Sequence, residues 1–368
     1  MLRSLSISLA VVGLTTAVAI ACSDTSDPSS DPAISAAKHG VAPTLTPQES
    51  GTSNQLIGIS AVNSRVAWAA GAGGTFTVTT DGGNTWRAGV VPGAEALQFR
   101  DVEGVSERVA YLLSIGNGPD SRIYKTDDGG ASWTLQFQNQ IALAFYDCFA
   151  FWTPKRALAF SDGVDGRFPV LRTTDGTTWQ DIGDRLPAAQ PGEAGFASSG
   201  TCVAAQGGKR AWIVTGGTPR ARVLATTDGG DSWAAYDTPI VPLVPGSVAS
   251  GGFSIAFRDP FRGILAGGDL FAPEATSDNV AVSKDGGKTW QLATGTPFPG
   301  AVYGLSYVPG FGERTVVATG PAGAAWSPDE GGTWNTLPGA TDYWAVAFAG
   351  HKAGWLVGTE GRILKLSF

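Results

Sequence analysis

Short runs in which apolar and polar residues alternate recur along most of this sequence. Examples lie at residues 56–62, 109–113, 223–226 and 363–366. Alternation with a period of two predicts a β-strand that buries one face. No long stretch repeats its apolar residues at the helical period, and 51 glycines and 22 prolines indicate frequent turns. The pattern therefore predicts an all-β domain over residues 51–368.

One short motif recurs six times between these runs. It reads Ser/Thr-x-Asp-x-Gly-x-Thr/Ser-Trp, the third copy is one residue short, and successive tryptophans are about 44 to 57 positions apart. Glycine permits the positive φ of a tight turn, and an aspartate carboxylate accepts hydrogen bonds from its own turn. A structural role in a turn is therefore expected for the six aspartates, which are Asp81, Asp128, Asp175, Asp228, Asp285 and Asp329.

The spacing of the motif predicts the number of blades in a propeller. About three alternating runs precede each copy and one follows it, which gives four strands per unit. Residues 344–368 form a last unit without a motif or an outer strand, and residues 44–48 are available to complete it. The prediction is a seven-bladed β-propeller with four-stranded blades, closed by pairing of its N- and C-terminal strands. Innermost strands are expected to begin near Ile57, Asp101, Tyr146, Thr201, Ser254, Tyr303 and Trp344.

The repeated turn resembles the Asp-box, or BNR repeat, of sialidases, sortilin-type receptors and photosystem II assembly factors. The segments 67–71 and 353–364, each a strand ending in a Gly-rich turn, resemble the photosystem II stability/assembly factor family. That resemblance covers residues 51–368 and implies a seven-bladed propeller that binds partner proteins and has no known catalysis. It also implies that the Asp-box turns lie away from the ligand. A sialidase-like or other glycoside hydrolase is the alternative, although no Tyr–Glu pair can be assigned here and the Phe-Arg-Ile-Pro-like stretch of sialidases is missing.

The N-terminal residues predict export. Residues 1–21 carry Arg3 as their one charge, followed by apolar and small residues, which is typical of a signal peptide. The sequence Ala-Ile-Ala before Cys22 resembles a bacterial lipobox, which implies lipid on the Cys22 sulfur; ordinary secretion is the alternative. Residues 22–50 are rich in Pro, Ser and Thr and are expected to form a disordered tether. An extracytoplasmic location on a bacterial membrane is expected, in the periplasm or at the cell surface, with membrane contact through the lipid only.

Composition narrows the choice of partners. A net charge of −7 with only 15% charged residues argues against nucleic acid as a ligand. No Cys/His spacing is typical of zinc, and no cofactor or metal is predicted.

Cys148 and Cys202 occupy equivalent places on neighbouring innermost strands. Because such strands are expected to diverge, two buried thiols are favoured over the disulfide that an extracytoplasmic setting would permit.

The binding site is expected on one face of the ring. Loops that lead into the innermost strands share a face with those that join second and third strands; we call this the long-loop face, and the opposite one the Asp-box face. Units two to five have the longest loops there, carrying acids, arginines and aromatic residues, and a monomer binding a protein or glycan ligand is predicted. Converging carboxylates would raise one another's pKa, and Arg167 would offset this. A carboxylate pair for glycoside hydrolysis, or solvated loop residues without a common site, are the alternatives. The ligand-binding candidates are Asp101, Asp147, Asp162, Arg167, Glu193, Asp269 and Tyr303.

Overall fold

The computed structural model describes residues 40–276 and 278–368. The predicted signal peptide, Cys22 and most of the predicted tether lie outside the described residues. Seven four-stranded antiparallel sheets account for the strands of the described part. Helical structure there consists of short 3₁₀ turns at Gly118–Asp120, Gly183–Arg185 and Thr359–Gly361. None of the helices in residues 40–276 and 278–368 has the length and apolar character needed to cross a membrane.

Each sheet is one blade, and the chain builds the blades in order. Blade 1 contains β2 (Leu56–Ala61), β3 (Ala67–Gly71), β4 (Thr75–Thr79) and β5 (Arg87–Val90). Blade 2 contains β6 (Gln98–Gly104), β7 (Ala110–Ile115), β8 (Arg122–Thr126) and β9 (Thr134–Gln138). Blade 3 contains β10 (Tyr146–Thr153), β11 (Arg156–Ser161), β12 (Val170–Thr173) and β13 (Gln180–Asp181). Blade 4 contains β14 (Val203–Gln206), β15 (Arg210–Val214), β16 (Arg222–Thr226) and β17 (Ala234–Asp237).

The remaining blades follow the same order and complete the ring. Blade 5 contains β18 (Ser250–Phe257), β19 (Gly263–Asp269), β20 (Val280–Ser283) and β21 (Gln291–Leu292). Blade 6 contains β22 (Gly304–Tyr307), β23 (Val316–Gly320), β24 (Gly323–Ser327) and β25 (Asn335–Thr336). Blade 7 contains β26 (Tyr343–Gly350), β27 (Ala353–Gly358), β28 (Arg362–Ser367) and β1 (Thr44–Glu49). The seven-bladed, all-β architecture predicted from the motif is confirmed.

The ring closes through the first strand of the chain. β1 pairs antiparallel with β28, with Thr44 opposite Ser367 and Glu49 opposite Arg362, as predicted. The Gln48 side chain reinforces this closure, because its Oε1 accepts hydrogen bonds from the indole N–H groups of Trp86 and Trp355 at 3.0 and 3.1 Å. The ring therefore includes six residues of the segment that the sequence assigns to the tether.

The Asp-box turns join the third and fourth strands of blades 1 to 6. In blade 5 the Asp285 carboxylate accepts hydrogen bonds from the Ser283 hydroxyl at 2.9 Å and from the Thr289 N–H and hydroxyl at 2.9 and 2.6 Å. Gly286 and Gly287 adopt φ of 79° and 85°, which explains the glycines of the motif. The same bonds lower the pKa of Asp81 and Asp128 to about 2, chiefly through the hydroxyl of the Thr or Ser four residues later. Hydrogen bonds to the charged form have this effect, so these aspartates serve the turn.

The core lies between neighbouring blades. Trp212 of blade 4 stacks on Phe257 of blade 5 with ring centroids 3.6 Å apart, and its indole N–H donates to the carbonyl of Gly286 at 2.8 Å. One buried ring thus contacts both an innermost strand and an Asp-box turn of the next blade. Contacts of this type fix adjacent blades to each other.

Cys148 and Cys202 form a disulfide between blades 3 and 4, and the prediction of two free thiols is wrong. Their Cα atoms are 5.9 Å apart, within the range that a disulfide spans. Innermost strands approach one another at the channel, so equivalent positions on neighbouring blades are closer than the expected divergence allowed.

Candidate site at the long-loop end of the channel

A segment of blade 4 lies across the central channel. We call residues 195–201, which precede β14, the crossing segment. Its Ala197 carbonyl accepts a hydrogen bond from Nη1 of Arg100 in blade 2 at 3.0 Å, and the Ser199 hydroxyl donates to the Tyr303 carbonyl in blade 6 at 2.6 Å. Blades 2 and 6 stand on nearly opposite sides of a seven-membered ring. The crossing segment therefore divides the channel into a long-loop end and an Asp-box end.

Three of the predicted site residues hold this segment in place. Asp162 Oδ1 accepts the Gly195 N–H at 2.8 Å, and the Asp147 carboxyl lies against Gly195, where an added Cβ would come within 2.7 Å of its Oδ2. Asp101 lies against Gly200, where an added Cβ would come within 2.4 Å of its Oδ1. Gly200 also has φ of 78°, so a larger residue there would strain the backbone as well. These carboxyls position the backbone and present little surface to a ligand.

Asp147 and Asp162 form a buried carboxyl pair. Burial is the largest cause that raises the pKa of Asp147 well above its usual range, and the charge of Asp162 raises it further. Burial also raises the pKa of Asp162 to about 6. Oδ2 of Asp147 has no N–H or O–H donor in the described structure, and a proton held between the two carboxyls would satisfy it. Arg100, rather than Arg167, is the cation whose charge lowers the pKa of Asp147.

The carboxyl pair makes stability depend on pH in a defined direction. Both pKa values are raised above the unfolded value of about 3.9, so the folded state binds more protons and loses stability as pH rises through about 6. We expect the free energy of unfolding to fall between pH 5 and pH 8. Asp147→Asn should reduce that fall by about 1–3 kcal/mol, because the amide neither ionises nor binds a proton in this pH range and adds no charge beside Asp162.

Urea unfolding at the two pH values measures this effect. Asp237→Asn, at the exposed end of β17, is the matched control and should leave the pH dependence unchanged. Buried Asp101 and half-buried Glu103, whose pKa values are also raised by burial, should leave a residual slope in both variants. Equal slopes for Asp147→Asn and wild type would contradict the shared proton.

A small pocket of about 150 Å³ occupies the long-loop end of the channel, above the crossing segment. Its aromatic wall runs from Phe253, which stacks on Phe196 at 4.1 Å, to Tyr303 and then to Trp344, whose ring lies 4.8 Å from that of Tyr303. Arg100 enters the pocket, and burial lowers the pKa of its guanidinium. The pocket thus combines aromatic surface with one desolvated cation.

Glu193 and Arg167 are both engaged in ion pairs away from this pocket. Glu193 is 1% exposed, and its carboxylate binds the Arg222 guanidinium through Nε at 2.8 Å and through Nη2. It also accepts the Thr215 hydroxyl at 2.7 Å. Arg167 binds Asp181 and Asp184 at 2.7 and 2.6 Å near the outer strand of blade 3. Glu193 therefore supports the loop before the crossing segment, and Arg167 does not face the carboxyl pair.

Asp269 holds in place two loops that present an apolar surface, which the sequence pattern did not predict. Its carboxylate accepts the Ser247 hydroxyl at 2.9 Å and the backbone N–H groups of Val244 and Phe271 at 3.2 and 3.0 Å. Two loops of blade 5 are thereby held together on the long-loop face. We call the exposed large apolar residues that they present the apolar rim, which consists of Val241, Leu243, Val244, Val248, Leu270 and Phe271.

The apolar rim is continuous with hollows in the long-loop face. Leu270 lines both the pocket at Arg100 and a neighbouring hollow of about 280 Å³ formed with Pro299 and Pro321. A further hollow of about 370 Å³ lies between Pro219 and Val241. Prolines between the apolar residues of 239–245 were a signal of this surface, because Pro is excluded from central strands and a loop leaves such residues exposed.

The comparisons with known proteins agree with this architecture. The family model for the BNR/Asp-box repeat matches residues 281–292, the turn of blade 5. No curated protein matches the chain. The solved structure of YCF48 from Cyanidioschyzon merolae is 16% identical, with a TM-score of 0.61, and the match covers 89% of this chain and 99% of that one.

Two further solved structures place this likeness in context. YCF48 bound to D1 peptide is 15% identical, with a TM-score of 0.59, and the match covers 89% of this chain and 96% of that one. The RRP9 WD40 repeats are 10% identical, with a TM-score of 0.60, and the match covers 89% of this chain and 99% of that one. At sequence identities this low, the likeness to these structures shows a common fold and nothing about function. The chain is a seven-bladed β-propeller that contains a BNR/Asp-box repeat and is similar in fold to YCF48.

Proposed function

We propose that this protein is an assembly-factor-like scaffold that binds an apolar segment of a partner protein on its long-loop face. The observation that carries the proposal is the apolar rim, where Phe271 is 65% exposed and Val248 is 64% exposed. Contiguous apolar surface of this kind is typical of interaction sites in soluble proteins. Asp269 fixes both loops of the rim, so little loop ordering would oppose binding.

The pocket at the centre of the face supplies an anchor beside the rim. A side chain from the partner would fit between Tyr303, Trp344 and Leu270, and a polar acceptor next to it would meet the Arg100 guanidinium. Aromatic residues and arginine are the groups that most often dominate binding energy at interfaces. YCF48 has been solved bound to D1 peptide, so a similar fold does accept a protein segment.

Protein binding fits the geometry better than sugar hydrolysis does. Asp147 is 2% exposed, and its carboxyl and that of Asp162 both lie against Gly195 of the crossing segment, whereas glycosidase carboxyls flank the scissile bond of a bound sugar. Of the arginines in the described residues, Arg100 alone lines the pocket; Arg167 and Arg222 are bound by acids. Three arginines converging on a substrate carboxylate, as the sialidase alternative requires, are therefore not assembled there.

Two exposed phenylalanines on opposite faces give a matched test. Phe271 lies on the long-loop face, and Phe261, 58% exposed, lies in the hairpin beside the blade 5 Asp-box turn. A photo-crosslinking amino acid at position 271 should trap a discrete protein in the source cells, and one at position 261 should not. The trapped protein, identified and purified, should then bind wild type about tenfold or more tightly than Phe271→Ser, with Phe261→Ser unchanged.

Other results would contradict this proposal. Equal crosslinking from both positions would indicate non-specific contact. Binding of purified glycans on an array, lost in Tyr303→Ala and unaffected by Phe271→Ser, would make the ligand a sugar. Melting temperatures of Phe271→Ser and Phe261→Ser should stay near that of wild type, because exposed substitutions of this kind change stability by about 0.5 kcal/mol or less.

We also propose that the protein acts outside the cytoplasm on a lipid anchor at Cys22. The disulfide between Cys148 and Cys202 supports an oxidising compartment. Metabolic labelling with a fatty-acid probe should mark wild type, and Cys22→Ser should lose the label while Cys148→Ser retains it. Labelling that persists in Cys22→Ser would rule out lipid on this residue.

A further inference from the structure

Arg100 carries a half-buried positive charge that the described residues do not neutralise. Its guanidinium donates to the Ala197 carbonyl at 3.0 Å and to Oε1 of Gln98 at 3.1 and 3.4 Å, and both acceptors are neutral. A guanidinium has five N–H groups, so these bonds leave one N–H on each terminal nitrogen without an acceptor in the described part of the chain. Burial lowers the pKa of Arg100, and the nearby Tyr303 and Asp147 side chains offset this effect only in part. An anion that reached these N–H groups would therefore be held strongly.

Ion pairs elsewhere on the long-loop face show how this fold compensates such a charge. The Glu193 carboxylate binds buried Arg222, and Asp181 binds Arg167 at 2.7 Å. For Arg100, by contrast, no carboxylate of residues 40–276 and 278–368 stands within ion-pair distance, and no Asp or Glu lines the pocket that it enters. The counter-charge for Arg100 has to come from a ligand in that pocket.

The walls beside Arg100 are apolar and reach the surface. Phe196, Tyr303 and Trp344 are half-buried, and Leu270 is 41% exposed. The pocket has a volume of about 150 Å³, below the range of about 300–1,000 Å³ that is usual for small-molecule sites. Its size is that of one side chain. The site therefore matches a single residue of a partner protein, with a carboxylate at its tip and an apolar stem, better than it matches a free metabolite.

We propose that the partner segment carries an aspartate or glutamate whose carboxylate binds Arg100, a step that rests on the function proposed above. Leu270 both lines the pocket and belongs to the apolar rim, so large apolar residues next to this acid in the partner would contact the rim. A carboxylate accepts N–H groups of a guanidinium in charge-assisted hydrogen bonds, which are about twice as strong as neutral ones. An amide in the same place would accept a hydrogen bond and leave the charge uncompensated.

Arg220 provides a matched cation on the same face. It lies in the loop between β15 and β16, is exposed to solvent, and donates from Nη1 to the Thr238 carbonyl at 3.0 Å. Water and salt screen a charge in this position, and exposed ion pairs contribute little to binding or stability. The preference for an acid is therefore expected to come from Arg100 and to survive the loss of Arg220.

Random peptides of about twelve residues, displayed on phage and selected on the full-length protein, test this proposal. Those that bind wild type but not Phe271→Ser should share an Asp or Glu beside large apolar residues. One such peptide, synthesised with its acid and with the matching amide, should bind wild type about tenfold or more tightly in the acid form. Arg100→Gln should bind both forms equally, Arg100→Lys should keep part of the preference, and Arg220→Gln should keep all of it.

The possible failures are distinguishable. Peptides that depend on Phe271 but bind wild type equally as acid and amide would overturn the pairing with Arg100 and leave the proposed function intact. An acid preference that is lost in Arg220→Gln and kept in Arg100→Gln would assign the anion to the exposed cation instead. A selection without any Phe271-dependent peptide would contradict the proposed function and the pairing together. Because Arg100 also holds the Ala197 carbonyl, the comparison of acid and amide on wild type stands even if Arg100→Gln does not fold.

Discussion

Glu193→Ala is expected to lower the free energy of unfolding by about 3–5 kcal/mol, because it leaves the Arg222 guanidinium buried without its counter-charge. The Arg222 guanidinium would keep its hydrogen bond to the Ala188 carbonyl at 3.1 Å but would lose both of its bonds to the carboxylate. The Thr215 hydroxyl and the Gln190 N–H would also lose their acceptor on the carboxylate. Urea unfolding at pH 7 gives the measurement.

Two comparisons make this result specific. Glu274→Ala, an exposed acid on the same face, should change the free energy of unfolding by about 0.5 kcal/mol or less. The double variant Glu193→Leu with Arg222→Met should recover most of the loss, because replacing a buried ion pair by apolar side chains is often neutral or stabilising. If Glu193→Ala proved fully stable and lost only partner binding, Glu193 would be the ligand-binding residue that the sequence predicts.

The architecture was accessible from the sequence because its signals are local. Each Asp-box turn is specified within eight residues, and six copies determine the repeat. The absence of an outer strand after residue 366 then pointed to residues 44–48, and β1 pairs with β28 as expected. A ring leaves few alternatives once the blades are counted, since every sheet edge must be covered or paired.

The site was less accessible because its geometry joins residues from distant blades. Arg100 approaches the carboxyl pair only because the crossing segment bridges blades 2 and 6, and no sequence pattern reports that path. Buried acids were also indistinguishable from exposed ones in the sequence. Asp147 and Asp162 do meet, whereas Glu193 pairs with Arg222 of β16 and Asp269 joins two loops of blade 5.

Replacing the tryptophan of an Asp-box by alanine is expected to lower the free energy of unfolding about as much as Glu193→Ala does. Trp290 is 8% exposed, its ring is edge-on to that of Phe257 with centroids 6.0 Å apart, and its indole N–H donates to the Gly287 carbonyl at 2.9 Å. Trp290→Ala should lower the free energy of unfolding by about 3–5 kcal/mol, through lost burial and the cavity left between blades 4 and 5. Thermal and urea unfolding measure the change, with Lys288→Ala in the same turn as an exposed control that should be near wild type.

Asp285→Ala measures how much the turn of the same motif contributes to stability, because it leaves the tryptophan ring intact. It removes four hydrogen bonds, from Ser283, Lys288 and Thr289, while leaving the Trp290 ring in place, so the expected loss is about 1–3 kcal/mol. Partner binding per folded molecule should be unchanged, because the turn lies on the face opposite the apolar rim. An Asp285→Ala protein that kept its full stability and lost its partner would assign the Asp-box a direct part in binding, and the long-loop face would then have to share the site.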